Sequence, residues 1–173
     1  RYTSHYLPVG IMHDKVVDWL DRGIVGGKVT GGGITFRGPV GSFPFEEADG
    51  RFEVRVKFEE GVVAFAPGWP PIVDIDGELI FNEQTMVAQA RSAMVLDTKI
   101  NNASATIPNL KSKKRALLVK GHAKGPTADG WLFLTTTPLL ETIGKHFKEA
   151  RVSGNSELDL SLRIPLNLSL IHI

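Results

Sequence analysis

The sequence predicts a mainly β domain, an antiparallel meander with two short α-helices, and three observations lead there. Residues 51–59 alternate without a break: Phe52, Val54, Val56 and Phe58 share one side, and Arg51, Glu53, Arg55, Lys57 and Glu59 the other. Weaker alternations return about every ten residues, separated by turn-forming residues. No long helical crossover lies between them, so hairpins rather than parallel units connect the strands. A strand with one apolar and one charged face belongs to an antiparallel sheet that is wet on one side.

The first element is helical. Ile11, Met12, Val16, Trp19 and Leu20 fall at three- and four-residue spacings, with Asp14, Lys15, Asp18, Asp21 and Arg22 between them. Gly23 occupies the usual glycine position after a helix. The glycine-rich segment 23–33 then reads as a twisted strand. It is not a phosphate loop, because Val29 stands where Ser or Thr must follow Lys28, and Arg22 stands where the first glycine belongs.

Downstream of 51–59, Val73, Ile75, Leu79 and Phe81 alternate with Asp74, Asp76 and Glu78 until Ile80 breaks the polar series. Met86, Ala88 and Ala90 form the next run, with Val87 an exception, followed by Leu96, Thr98 and Ile100. Leu117, Val119, Gly121 and Ala123 oppose Lys120, His122 and Lys124, and Leu158, Leu160, Leu162 and Ile164 oppose Glu157, Asp159, Ser161 and Arg163. Turn chemistry is expected at Glu60-Gly61, Pro67-Gly68, Asn82, Asn101-Asn102, Pro108-Asn109 and Pro126. A second amphipathic helix is expected over 139–147. Thr137 caps it, Pro138 opens its first turn, and Leu139, Leu140, Ile143 and Phe147 form its stripe.

The 173 residues suffice for one domain, and 42% of them are apolar. Twenty Lys and Arg against 19 Asp and Glu leave a net charge of +1, which argues against a dedicated nucleic-acid binder. The absence of cysteine excludes disulfides, thiolate zinc sites and cysteine nucleophiles. Without an initial Met or an apolar run near the roughly 18 residues a membrane helix needs, the chain reads as an internal fragment of a longer protein. Residues 168–173 read as a translated sequencing adapter, which leaves 1–166 as the single domain.

Candidate chemistry is sparse. The five histidines do not fall at ligand spacing, no Gly-x-Ser-x-Gly elbow is present, and Asp74 and Asp76 read as a solvated strand face. No catalytic residue, cofactor or metal is therefore expected. Lys111, Lys113, Lys114 and Arg115 form the one basic cluster, either a solvated loop or a contact for anionic headgroups or an acidic partner. Trp69, held between prolines, either packs over a sheet end or meets lipid or a partner.

Tyr6-Leu7-Pro8, Trp19-Leu20, the glycine-rich strand entry, Phe43-Pro44-Phe45, Trp69-Pro70 and the closing run from Gly154 through Leu158–Pro165 together resemble the AsmA-like proteins of Gram-negative envelopes. The resemblance covers nearly all of 1–166. It implies a curved antiparallel sheet, an open groove or half-barrel with an apolar inner wall, similar to the bridge-like lipid-transfer proteins. It further implies an inner-membrane anchor outside this segment, a periplasmic location, and a part in moving phospholipid between the inner and outer membranes. Flanking segments of the same chain and other envelope proteins are the implied partners. The family has no established catalytic residues to carry over.

An open groove would use lipid to cover the apolar side of the sheet, and a closed sandwich would use a second sheet. In the groove case Phe52, Val54, Val56, Phe58, Val73 and Ile75 line the track, continued by Leu79, Leu117, Val119, Leu158, Leu160 and Leu162. The 139–147 helix covers that track or docks against its edge. The alternative is a lipid-free structural or protein-interaction β domain of the cell envelope.

Overall fold

The computed structural model describes residues 14–43, 45, 50–65, 67–112, 116–137 and 151–166, with side chains from residue 17 onward. Helix α1 (Asp14–Gly23) leads into β1 (Ile24–Arg37), and a short 3-10 turn at Val40–Ser42 precedes β2 (Arg51–Val63). Strands β3 (Ile72–Asn82), β4 (Thr85–Val95), β5 (Thr98–Ile107) and β6 (Ala116–Pro126) follow. Helix α2 (Thr127–Thr136) then precedes β7 (Asn155–Pro165). All seven strands form one sheet in chain order, each antiparallel to the next, and among the described residues β1 and β7 are its edges. The expected β meander is present and the sheet is not closed.

Two expected turns lie inside strands instead. Glu60 and Asn102 have φ of 53° and 50°, and the β2–β3 and β5–β6 registers slip beside them. They are bulges in β2 and β5. Asn and residues before Gly tolerate the left-handed region equally in a turn or a bulge, so local sequence does not separate the two. Bulges at Glu60, Asp74 and Asn102 increase strand twist and so help to curve the sheet. Leu96, which the periodicity places in a strand, sits with φ of 54° in the β4–β5 turn.

Helix α2 has no counterpart in the sequence pattern. Its sequence, TADGWLFLTT, contains a glycine and three threonines and lacks an amphipathic period, so tertiary contacts rather than propensity hold it. Thr137, expected to begin the next helix, is the buried residue that closes α2. The helix expected over 139–147 lies outside the described residues.

The two ends of the sheet are built differently. At one end the loops after β1, β3 and β5 interlock: Glu83 N–H donates to Phe52 O at 3.0 Å and Leu110 N–H to Gln84 O at 2.7 Å. Phe36, Phe43, Phe45 and Phe52 pack ring to ring there, Phe43 and Phe52 edge-on with centroids 5.0 Å apart. The buried cluster of Phe45, Phe52, Val54, Phe81, Met86, Ile107 and Leu110 starts from these rings, and Leu20 of α1 joins it.

At the opposite end, Trp19 Nε1 donates to Phe65 O at 3.0 Å. Trp69 packs between Phe65 and Phe133 of α2, with centroids 5.1 and 5.2 Å away. The Asp129 carboxylate accepts from Asp97 N–H and Thr98 Oγ1, both at 2.9 Å. Helix α2 therefore reaches from β6 back to the β2–β3 loop. Its ten residues span about 15 Å, the width of three strand spacings. Asp129→Ala removes both anchors and is expected to lower stability by about 1–2 kcal/mol, read as a shift of the urea midpoint.

Candidate functional site: the apolar face of the sheet

Strand pairing turns the alternation within each strand into rows that cross the sheet. Directly paired residues share a face, so one row can be followed strand by strand: Gly32, Val56, Leu79, Ala88, Ala105, Val119 and Leu162. It is apolar from β1 to β7 and covers about 29 Å at the usual strand spacing. None of its members is buried.

Parallel rows flank it. Toward the Phe end run Ile34, Val54, Phe81, Met86 and Ile107, continued by the Leu117–Ile164 pair. Toward the Trp end, Phe58, Gly77, Ala90 and Ala103 pair in turn. Gly121 continues that row to Leu160, and a Cβ there would crowd the Ala103 methyl at 3.1 Å. A fourth row pairs Ala93, Ile100, Ala123 and Leu158. The middle of the face thus has a floor of Gly and Ala, with bulkier rows toward the two ends.

These rows bring together Val54, Val56, Phe58, Leu79, Leu117, Val119, Leu158, Leu160 and Leu162, and Phe52 and Ile75 lie two residues beyond Val54 and Gly77 on the same strands. Phe52, Val54 and Ile75 are buried, Val56, Phe58, Leu79, Leu117 and Val119 are half-buried, and Leu158, Leu160 and Leu162 are 56%, 36% and 44% exposed. Val73 is placed elsewhere. Asp74 adopts φ of 51° and the register slips beside it, which rotates Val73 onto the face of Met94, Lys99 and Lys124. Strict period-two reading across a bulge assigns the wrong side.

The small residues of the floor are the part that sequence reasoning misses. Ala103 and Ala105 carry almost no hydrophobic signal, and only the pairing with Ala88 and Ala90 makes them a surface. Of the basic cluster, Lys111 is exposed in the β5–β6 loop, and Lys113, Lys114 and Arg115 lie outside the described residues. Trp69 packs over the sheet end.

The other face is charged and laced with ion pairs. Arg55 meets Glu53 and Glu78 at 3.3 and 3.0 Å, Arg51 meets Glu53 at 3.1 Å, and Arg91 pairs with Asp76. His122 Nδ1 lies 2.9 Å from Asp159, and Lys124 pairs with Glu157. Ile80 and Val87, the two exceptions in the alternation, are cross-strand partners on this face.

The Arg51 hydrogen bond holds the Glu53 carboxyl below its ordinary value, and Arg91 and Lys124 do the same for Asp76 and Glu157. What these pairs contribute is present above the unfolded carboxylate value of about 4. It is lost as pH falls through the depressed folded values. All are solvent-exposed and salt-screened, so each is a minor part of stability.

Among the described residues no group of three or more His, Asp or Glu lies close enough to hold a metal ion. No described helix is long and apolar enough to cross a membrane.

The model of the YhdP protein family matches residues 1–171. The intermembrane phospholipid transporter YhdP of Escherichia coli (strain K12) is 30% identical over 166 residues, which is 96% of this chain. The chain spans 13% of the length of that relative. No solved structure matches it. The family resemblance read from the short aromatic and proline motifs is borne out over almost the whole sequence: the chain belongs to the YhdP family.

Proposed function

We propose that this chain is one segment of a phospholipid conduit between two membranes, holding acyl chains against the apolar face of its sheet without chemical catalysis. The observation that carries the proposal is the unbroken row from Gly32 to Leu162, apolar on every strand and buried on none. A contiguous apolar surface that the described residues leave only partly covered, half-buried in its middle and exposed at Gly32 and Leu162, supports an interaction site. The relative's activity as an intermembrane phospholipid transporter supports a lipid as the occupant.

The energetics favour such a surface. Each buried CH₂ is worth about 0.8 kcal/mol, so a diacyl lipid with roughly thirty of them meets a barrier of order 20 kcal/mol in crossing water. A continuous apolar track removes most of that barrier without fuel at each step. Edges β1 and β7 have no neighbouring strand among the described residues, and flanking segments of the same chain would pair with them, extending the rows on both sides. In this proposal the segment lies in the periplasm, as part of a protein anchored in the inner membrane.

The test is to purify the chain in mild detergent, exchange the detergent away, and extract it for mass spectrometry. Phospholipid at about one molecule or more per chain is expected. A folded, monodisperse chain free of lipid would contradict the proposal and favour a lipid-free structural role.

A further inference from the structure

Resting on the conduit proposal, the geometry points to a fixed orientation of the lipid across the track: glycerol and headgroup at the α2 end of the strands, and chain methyls at the Phe end. The two ends differ in chemistry. Trp69 and Trp131 belong to elements gathered at one end, the β2–β3 loop and α2, and Trp19, whose ring packs against the buried cluster, donates its indole N–H to Phe65 O at that same end. Tryptophan combines an apolar ring with an N–H donor and settles where hydrocarbon meets polar groups. Asp129 and Thr98 add polar atoms at the same end.

The opposite end presents phenylalanine rings, which have no polar atom to offer a headgroup. There Leu110 is fully buried and Ile107 is 2% exposed, so that end of the face is closed by packed hydrocarbon.

The dimensions agree. From Leu158 to Ile164 the apolar side of β7 spans seven residues, about 20 Å from first to last. One leaflet's hydrocarbon is about 15 Å thick. A lipid can thus lie along the strands, with its neighbours side by side along the rows.

Intrinsic tryptophan fluorescence tests this on the unaltered chain. Phosphatidylcholine carrying a nitroxide on the headgroup, at carbon 5 or at carbon 16 is supplied from vesicles. Quenching at least about twofold stronger from the headgroup and carbon-5 labels than from carbon 16 is expected. A single cysteine, Val40→Cys, on the exposed loop at the Phe end can carry a fluorophore in this cysteine-free chain, and there the order should reverse.

Equal quenching from all positions, or the opposite order, would overturn the orientation while leaving the conduit intact. So would a cysteine probe that shows the same order as the tryptophans. A folded chain quenched by none of the labels would overturn the orientation and the conduit together.

Discussion

Replacing Leu160 and Leu162 together by aspartate is expected to weaken phospholipid binding at least about 100-fold while the sheet stays folded. Both side chains are substantially exposed on the edge strand β7, so the charges remain solvated in the lipid-free chain. Once hydrocarbon lies against them they lose that water. A carboxylate desolvated without a partner costs several kcal/mol, and every 1.4 kcal/mol is tenfold in affinity. Binding of a fluorescent phospholipid and a parallel thermal melt separate the effects. If the face were only a structural surface, the variant would match the parent in both assays.

Phe81→Ala is expected to do the opposite, unfolding the chain before it affects any ligand. Phe81 is completely buried, paired with Val54 on one side and Met86 on the other, at the centre of the Phe-end cluster. Truncating a buried Phe costs about 3–5 kcal/mol, a large share of a domain's usual 5–15. For a chain of this size the melting temperature should fall on the order of 10 °C. Leu79→Ala, two residues along the same strand but half-buried, should cost clearly less. Calorimetry of the two variants side by side shows whether stability resides at the Phe end or is spread along the apolar face.

Much of this architecture is legible in the residues. The alternation from Arg51 to Glu59 identifies β2 and its two faces because each side chain is decisively apolar or charged. The Leu158–Ile164 run does the same for β7. Legibility fails where backbone geometry overrides periodicity: the left-handed Asp74 reverses the face of Val73, and Glu60 and Asn102 make bulges in place of the expected turns. Helix α2 is hidden for a different reason, since its placement depends on Asp129 reaching the β4–β5 turn and Phe133 meeting Trp69. The floor is hidden because Ala and Gly become a surface only through register.

Ion pairs on the charged face have a separate role. Arg55 joins β2 to β3 through Glu78, Arg91 joins β4 to β3 through Asp76, and Lys124 joins β6 to β7 through Glu157. Each is weak alone. Placed between neighbouring strands, they favour one register over its slips, and it is register that keeps the rows of the opposite face continuous.

The most direct measurement places a photoactivatable benzophenone residue at adjacent positions along three strands: Glu78 or Leu79, Lys120 or Val119, and Ser161 or Leu162. The chain is then irradiated in the presence of phospholipid. Lipid adducts are expected at Leu79, Val119 and Leu162, with few or none at their immediate neighbours. Adducts of similar yield on both sides of each strand, or only at Glu78, Lys120 and Ser161, would contradict a lipid track on the apolar face.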